Sequence, residues 1–427
     1  MDAIVEYGEG REFAAPVRSR MPESRLSRAL ALPICLFLVL AATGHAADVK
    51  AASCAEKDVR KAINAARSGD TVVIPGPCSA AWTPGLTIPD SRAITLASSG
   101  GAVSIAGATA LTIEQNASRS TRVTGLTFVT IGNSGNPTIR VGGRFSPPSA
   151  TARIDHNTFR SNGSGTWIQT DGGSPVLIDH NSLTAGSSAE MIHNIAFGPD
   201  DGTRVGWSTD VVPGSANMVF IEDNVFSCVG NGDICNVVQS YYGARTVVRH
   251  NIANYSQVDQ HGTAGLPWAR WWEIYDNTFN SQSRNQCCYM ALRGGSGVVW
   301  GNTHPDHDKG PGGIGMFVEA PGCSGGFPQP AYPAKDQIGR GFRQLANPVY
   351  FWGNSYDMPV IRGEGGGCMA QNIDYFVTLE EPDMLRRCES AADLKAGCPV
   401  SYKYVPFPYP FPLSAKGLPE PKQGGRP

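Results

Sequence analysis

The 427-residue chain contains 50 glycines, only 17% of its residues are charged, and its formal net charge is −2. This near-neutral charge gives no electrostatic basis for binding a phosphate backbone, so we expect no nucleic-acid partner. The length would allow two or three domains, but a solenoid grows in one dimension and needs no such division.

The N-terminal segment has the pattern of a secretion signal preceded by an extension. Residues 1–20 are polar and unpatterned, and we expect them to be an unstructured or non-native extension. Residues 21–46 are the predicted signal peptide, with two arginines before the apolar run 29–42 and a small-residue cleavage site at the end. Because the run is too short to span a membrane comfortably, we expect a secreted or periplasmic protein with no membrane partner after cleavage.

A helix is predicted ahead of the first repeat. Residues 56–67 place Val59, Ala62 and Ile63 at helical spacing, and Gly69 follows the segment. Such an amphipathic helix would close the exposed end of a solenoid. Short strands are predicted after it at residues 71–75, 93–97, 102–106, 110–114 and 122–129.

An asparagine-marked unit then recurs through the chain. Each copy contains an apolar residue, a polar residue, a turn residue and Asn, and the marker residues are Asn157, Asn181, Asn224, Asn251, Asn277, Asn302 and Asn354. Their steps of 24, 43, 27, 26, 25 and 52 residues indicate a period near 25 with two double-length gaps. A leucine-rich horseshoe would need a leucine framework, and an antiparallel sandwich would not keep Asn at one phase. The pattern therefore predicts an all-β parallel β-helix over residues 47–362, with a ladder of stacked asparagine amides.

The C-terminal part and the cysteines add two expectations. The repeat fades over residues 363–427, and the proline-rich stretch 404–412 is expected to be an extended tail packed on the solenoid. Ten cysteines remain after signal removal, an even number that favours disulfides in an oxidising compartment. The connectivity stays open, and the candidate local pairs are Cys54 with Cys78, Cys228 with Cys235 and Cys388 with Cys398.

The residues two positions before the marker asparagines are expected to form a solvent-facing row, called here the outward row. It consists of Asp155, Asp179, Glu222, Arg249, Tyr275, Trp300 and Trp352. Three stacked carboxylates repel one another, so they need either a calcium ion or neutralisation by arginine. The aromatic members are suited to stacking on sugar rings or to ordinary packing. On a second face the candidate outward groups are Gln169, His193, Gln239, Arg293, Glu319 and Arg362.

Several segments resemble a known family. DVRKAINAARSGDTVVIPGP at 58–77 resembles the opening of secreted right-handed parallel β-helix proteins of the pectate-lyase-like superfamily. Four further segments are similar to a bacterial branch of it whose activities are mostly unassigned: VDQHG at 258–262, ARWWEIYDNTF at 269–279, KDQIGRG at 335–341 and NIDYF at 372–376. The resemblance covers most of residues 50–412 and implies a superfamily rich in uronic-acid polysaccharide lyases, alongside hydrolases, esterases and non-catalytic adhesion proteins. The calcium cluster and catalytic arginines of pectate lyases have no residue-by-residue match, so the reaction type stays open.

The densest group of reactive side chains contains Asp259, His261, Arg270 and Glu273. A lyase acting on a uronic acid needs a base, an acid and a cation that neutralises the substrate carboxylate. His261 is the predicted base, with Lys335 as a second candidate, and a turn histidine bonded to Asp259 is the structural alternative. The predicted carboxylate ligands are Arg270, Arg293 and Arg340.

The leading hypothesis is a polysaccharide lyase that cleaves an acidic polysaccharide by β-elimination. Its predicted substrate-binding residues are Arg249, Tyr275, Arg293, Trp300, Trp352 and Glu319, and the candidate calcium ligands are Asp155, Asp179 and Glu222. The competing hypothesis is a non-catalytic glycan-binding or assembly protein, and a glycoside hydrolase with two carboxylates is the third. Ionisable groups clustered in a groove would favour an enzyme, whereas an aromatic groove with dispersed charges would favour binding.

Overall fold

The computed structural model describes residues 46–415, apart from 134, 143–149, 172–174, 187, 196–210, 230–234, 262–268, 282–287, 306–311, 318–337, 340–346, 357, 363–368 and 389–398. The predicted extension and signal peptide therefore lie outside the described residues, except for Ala46. The same holds for three predicted site residues, Glu319, Lys335 and Arg340.

The described chain forms two helices and a long series of short strands. The helices are α1 (Glu56–Ala65) and α2 (Pro412–Ala415). The strands are β1 (Asp48–Lys50), β2 (Thr71–Pro75), β3 (Cys78–Ala81), β4 (Leu86–Ile88), β5 (Thr95–Ser99), β6 (Val103–Ala106), β7 (Leu111–Glu114), β8 (Arg122–Thr124), β9 (Thr127–Phe128), β10 (Ile139–Gly142), β11 (Ala152–Asp155), β12 (Thr158–Arg160), β13 (Ile168–Asp171), β14 (Val176–Asp179), β15 (Ser182–Ala185), β16 (Glu190–Ile195), β17 (Val219–Glu222), β18 (Val225–Cys228), β19 (Cys235–Tyr241), β20 (Arg245–Arg249), β21 (Ile252–Asn254), β22 (Ser256–Gln260), β23 (Trp271–Tyr275), β24 (Thr278–Ser281), β25 (Met290–Leu292), β26 (Ser296–Trp300), β27 (Ile314–Met316), β28 (Val349–Trp352), β29 (Val360–Arg362), β30 (Tyr375–Thr378), β31 (Leu385–Arg387) and β32 (Val400–Tyr402).

Three long parallel sheets form the body of the molecule. Sheet 1 has the order β1-β2-β5-β8-β11-β14-β17-β20-β23-β26-β28-β30. Sheet 2 has the order β3-β6-β9-β12-β15-β18-β21-β24, and sheet 3 has the order β4-β7-β10-β13-β16-β19-β22-β25-β27-β29. The chain visits sheets 1, 2 and 3 in turn and then steps to the next rung, so the fold is the predicted right-handed parallel β-helix.

Alternation along each strand builds the core. In sheet 1, Ile154, Ile178 and Ile221 lie opposite one another on successive strands and are fully buried inside the solenoid. Helix α1 covers the N-terminal end and buries Val59 and Ile63, as predicted. It ends at Ala65 rather than at residue 67, because the backbone of Ala66 is already extended.

The asparagine ladder is confirmed. The backbone and side-chain nitrogens of each asparagine from Asn157 to Asn302 donate to the side-chain oxygen of the next one at 2.9–3.2 Å. The residue before each ladder asparagine has a positive φ of 53–64°, and these residues are His156, His180, Asp223, His250, Asp276, Gly301 and Gly353. A single left-handed residue turns the chain sharply from sheet 1 to sheet 2. Neither double-length gap interrupts the ladder, because the extra residues follow the sheet 3 strands β16 and β27 instead.

Two predicted disulfides are confirmed. Cys54 is bonded to Cys78 and Cys228 to Cys235. Cys388 is also disulfide-bonded, but its predicted partner Cys398 lies outside the described residues. Among the helices of the described ranges, none is long and apolar enough to cross a membrane.

The C-terminal segment lies across the outer face of sheet 1. Phe407 and Phe411 pack on Phe220 with ring centroids 5.2 and 4.8 Å away, and Tyr404 is buried in the same cluster. Sheet 1 itself extends past residue 362 through β30, although the sequence repeat fades there. The tail thus packs on the solenoid and covers part of one sheet.

The expectation that the outward row faces solvent is wrong for most of its members. Five of them are at most 2% exposed, namely Asp155, Asp179, Glu222, Arg249 and Tyr275, and Trp352 is only 7% exposed. Their side chains do point away from the solenoid interior. The tail and sheet 1 form an apolar cluster that excludes water from them. The tail residues in this cluster lie more than 150 residues away from Arg249 in sequence.

Candidate functional site

The acidic part of the outward row is neutralised by arginines. Arg122 donates to Asp155 at 2.7 Å, Arg153 to Asp179 at 2.6 and 2.9 Å, and Arg249 to Glu222 at 2.7 Å. Burial alone would raise the pKa of Asp155, but the hydrogen bonds from Arg122 and His156 hold it below its usual value.

This arrangement corresponds to the arginine alternative rather than to calcium. Within the described ranges, no group of three or more histidine, cysteine, aspartate or glutamate side chains is arranged to hold a metal ion. The oxygens of Asp155, Asp179 and Glu222 accept hydrogen bonds from guanidinium groups instead of converging on one point. These residues do not fit a calcium ion in this geometry.

The aromatic part of the outward row is a stack of rings. The rings of Tyr275 and Trp300 are 4.4 Å apart and nearly parallel, and those of Trp300 and Trp352 are 5.9 Å apart and nearly parallel. Tyr404 of the tail meets Trp352 edge-on. A sugar stacks on an open ring face, but the stacked neighbours cover facing sides of these rings. Together with the burial of Arg249 and of Tyr275, this arrangement indicates packing beneath the tail.

Glu273 and Arg270 also belong to the sheet 1 side of the molecule. The buried carboxylate of Glu273 accepts hydrogen bonds from the backbone of Gly214 at 2.7 Å, from Trp271 at 3.0 Å and from Tyr404 at 2.7 Å. It therefore anchors two segments that cover sheet 1. Arg270 precedes β23 and lies near Tyr402 in β32, whose pKa is raised by burial and lowered slightly by the charge of Arg270.

Sheet 3 carries a different collection of outward side chains. Gln169, His193, Gln239 and Asp259 lie opposite one another on β13, β16, β19 and β22, which confirms the alignment expected for the first three. Two residues further along these strands lie the outward positions of Tyr241 and His261, followed by Arg293 after β25. Glu190 begins β16. We call Glu190, His193, Gln239, Tyr241, Asp259, His261 and Arg293 the sheet 3 cluster.

An ion pair forms one side of the sheet 3 cluster. Arg293 binds both oxygens of Asp259, with Nε 3.0 Å from Oδ1, and Asp259 is fully buried. Two rungs earlier than His193, Arg140 makes a comparable pair with Asp171 at 2.7 Å, and Gln169 also donates to that carboxylate at 2.8 Å. Arg140 and Arg293 therefore each already bind a carboxylate of the protein.

Glu190 is the member that sequence reasoning missed. Burial raises the pKa of its carboxyl to about 7, and the negative charge of Asp259 acts in the same direction. The amide of Gln239 lies between Glu190 and Tyr241. With its nitrogen turned towards Glu190, it donates to that carboxylate and its oxygen accepts from the Tyr241 hydroxyl at 2.9 Å. The opposite amide orientation suits a protonated Glu190, which would donate to the amide oxygen.

The pKa values of the two histidines in the cluster are lowered, whereas that of Glu190 is raised. Burial, and to a smaller extent the charge of Arg140, lowers the pKa of His193 to about 4. Burial also lowers the pKa of His261 to about 3, with added effects from Arg293 and His193. Neither ring nitrogen of His193, nor Nδ1 of His261, has a hydrogen-bond partner among the residues that the structure describes. Both imidazoles are thus neutral at neutral pH.

The rings of the cluster lie close together. The centroid of Tyr241 is 4.4 Å from that of His261 and 5.2 Å from that of His193. Nδ1 of His193 is 3.7 Å from a carboxylate oxygen of Glu190. Sequence alignment of the rungs could have identified Tyr241, two residues after Gln239, but Glu190 stands opposite Asn236 next to a register shift, where simple alternation fails.

Long connections enter and leave sheet 3. Residues 196–218 and 317–348 connect its strands β16 and β27 to sheet 1, while 229–234 and 282–289 lead into it from sheet 2. Glu319, Lys335 and Arg340 lie in the connection after β27, outside the described residues, and their roles stay predictions. Connections of this length on a solenoid commonly serve binding or catalysis.

Comparison of the chain with protein-family models, with curated proteins and with solved structures gives no match. The stacked parallel sheets establish a right-handed parallel β-helix, and a fold of this kind does not determine an activity. The chemistry of the sheet 3 cluster is therefore the basis for assigning a function.

Proposed function

We propose that the protein is a secreted or periplasmic enzyme that cleaves an acidic polysaccharide by β-elimination on the outer face of sheet 3. The observation that carries this proposal is the close packing of Glu190, His193, Tyr241 and His261 in the sheet 3 cluster, and the opposite pKa shifts of its acid and its histidines support it. Glu190 retains a proton up to about pH 7, whereas His261 and His193 are proton-free above about pH 4. Such pairs of oppositely tuned groups supply a general acid and a general base at one site.

The reaction assigns one role to each group. His261 removes the proton from C5 of the uronate, a C4–C5 double bond forms, the C4–O bond breaks, and Glu190 protonates the leaving oxygen. A bound uronate carboxylate would raise the pKa of His261, because a nearby negative charge favours the imidazolium that forms. Arg293 already acts on His261 electrostatically and is the described cation suited to neutralising the substrate carboxylate, with Asp259 orienting it.

The clustered ionisable groups favour an enzyme over a non-catalytic glycan-binding protein. The aromatic row that a binding protein would use has ring faces covered by neighbouring rings and lies beneath the tail. The two confirmed disulfides support the oxidising compartment that secretion implies.

A glycoside hydrolase is the second candidate, and one observation favours it. Glu190 is a carboxyl with a raised pKa, while Asp259 is paired with Arg293. Their strands β16 and β22 are two steps apart in sheet 3, which places the backbones roughly 10 Å apart. Inverting hydrolases likewise use one protonated carboxyl group and one carboxylate on opposite sides of the scissile bond.

The test is incubation of the mature protein with a panel of acidic polysaccharides. Absorbance of new unsaturated uronate ends and release of reducing ends are followed together. We expect unsaturated ends, and we expect His261→Ala and Glu190→Gln each to lower the rate about 100-fold or more. The matched control is His156→Asn, because this half-exposed turn histidine lies between sheets 1 and 2 and asparagine tolerates its φ of 54°.

The outcomes separate the candidate functions. Reducing ends without unsaturated ends would replace the lyase by the hydrolase. Full activity in His261→Ala would remove this residue as the base. No product from any polysaccharide, together with retention on an immobilised glycan, would favour the non-catalytic binding protein.

A further inference from the structure

The solenoid interior is polar directly behind the sheet 3 cluster. The inward positions that follow the outward residues of four successive strands are Thr170, Asn194, Ser240 and Gln260. All four are at most 2% exposed. On the preceding and following rungs the same inward position is Val141 and Leu292, so the polar row is confined to the rungs that carry the cluster and its neighbour Gln169.

Most of these side chains bond to one another. The hydroxyl of Thr170 donates to Asn194 Oδ1 at 2.9 Å, and Asn194 Nδ2 donates to the Thr246 hydroxyl of sheet 1 at 2.8 Å. The hydroxyls of Ser240 and Thr246 are 3.1 Å apart. A continuous hydrogen-bonded row therefore joins sheets 3 and 1 inside the core.

Gln260 differs from the rest of the row. It is fully buried, and within the described ranges neither its amide nitrogen nor its amide oxygen has a hydrogen-bond partner. Across the described part of the chain, no other buried side-chain amide lacks partners on both atoms. An unsatisfied buried polar group destabilises the folded state, and native proteins commonly satisfy such groups with internal water.

We propose that one or more ordered water molecules occupy the solenoid interior at Gln260, beside the Ser240–Thr246 pair. A metal cation would satisfy the amide oxygen of Gln260 but not its N–H groups, whereas an anion would satisfy only the N–H groups. Water both donates and accepts, so it suits the amide and the neighbouring hydroxyls together. The bound water holds in place the end of β22, the strand that carries Asp259 and precedes His261.

The proposal is independent of the enzymatic activity and is tested by structure and by water exchange. A high-resolution crystal structure should show water about 3 Å from both amide atoms of Gln260. Magnetic relaxation dispersion should count at least one fewer long-lived internal water in Gln260→Leu than in the wild type. The control is Leu292→Met on the next rung, which should leave the count unchanged.

A second variant covers the case in which Gln260→Leu does not fold. Thr246→Val keeps the shape of its side chain and removes one neighbouring hydroxyl, so it should weaken the water signal without removing Gln260. A dry interior at Gln260, a direct protein partner for both amide atoms, or equal water counts in the wild type and the folded variants would overturn the proposal.

Discussion

The substitution Arg249→Met should test how the tail and sheet 1 depend on each other. The guanidinium of Arg249 binds Glu222, the Tyr275 hydroxyl at 2.8 Å, and the carbonyl oxygens of Phe407 and Pro408 in the tail at 2.6 and 2.9 Å. Its removal leaves Glu222 fully buried without its arginine. Breaking a buried ion pair in this way costs about 3–5 kcal/mol, and we expect that loss in the free energy of unfolding.

Urea unfolding and limited proteolysis measure the two consequences. The double variant Glu222→Gln/Arg249→Met should recover about 2 kcal/mol relative to the single variant, because no uncompensated charge remains buried and the new amide oxygen can still accept from Phe411. The tail should be cleaved faster in both. Arg160→Met, an exposed arginine on sheet 2, should change stability by less than about 0.5 kcal/mol. A loss below about 1 kcal/mol for Arg249→Met, or no recovery in the double variant, would refute this reasoning.

Three further predictions concern the ladder, the cluster and the N-terminal cap. Asn251→Ala should lower the free energy of unfolding in urea by about 2–4 kcal/mol because it breaks bonds to both neighbouring rungs, and Asn354→Ala at the ladder end should cost less. The folded-state pKa of His193, about 4, lies below its ordinary value of 6.5. Its contribution to stability is therefore present above pH 6.5 and is lost as the pH falls towards 4. His193→Gln should flatten the decline of Tm between these pH values, and an unchanged slope would contradict the pKa shift. Replacing both cysteines of the Cys54–Cys78 disulfide by alanine should cost about 3 kcal/mol in urea unfolding, since the bond closes a loop with a sequence separation of 24, and a loss near zero would contradict the loop-closure estimate.

The ladder shows why the fold could be predicted from sequence. Every rung of the ladder needs the same turn, a residue with left-handed backbone conformation followed by Asn. The asparagines therefore recur in the sequence at a nearly constant spacing. Both double-length gaps remain in phase because the turn from sheet 1 to sheet 2 does not take part in the insertions. An interaction that is local and repeated, such as this ladder, can thus be predicted from the sequence alone.

The environment of the outward row could not be predicted in the same way. The position of these residues in the repeat correctly indicated that their side chains point away from the core. Their burial, however, depends on the tail, in which Phe407 accepts a hydrogen bond from Arg249, 158 residues away in sequence. Glu190 was missed for another reason, since it lies beside an irregular register, and its raised pKa arises from burial and from Asp259 on a strand that comes later in the chain. The period of the repeat thus predicts the direction in which a side chain points. Its solvent exposure and its protonation state depend on distant parts of the chain.

The double-length gaps of the ladder have a consequence for how such a protein can diversify. From Asn157 to Asn354, the corner between sheets 1 and 2 keeps one length and carries the asparagine bonds, while the connections beside sheet 3 differ widely in length. Residues can therefore be inserted next to the sheet 3 cluster without shifting a single rung. In such a solenoid, the asparagine ladder fixes the register of the strands, and the connections beside sheet 3 can be replaced. Loops grafted there could alter specificity while the strands keep their register.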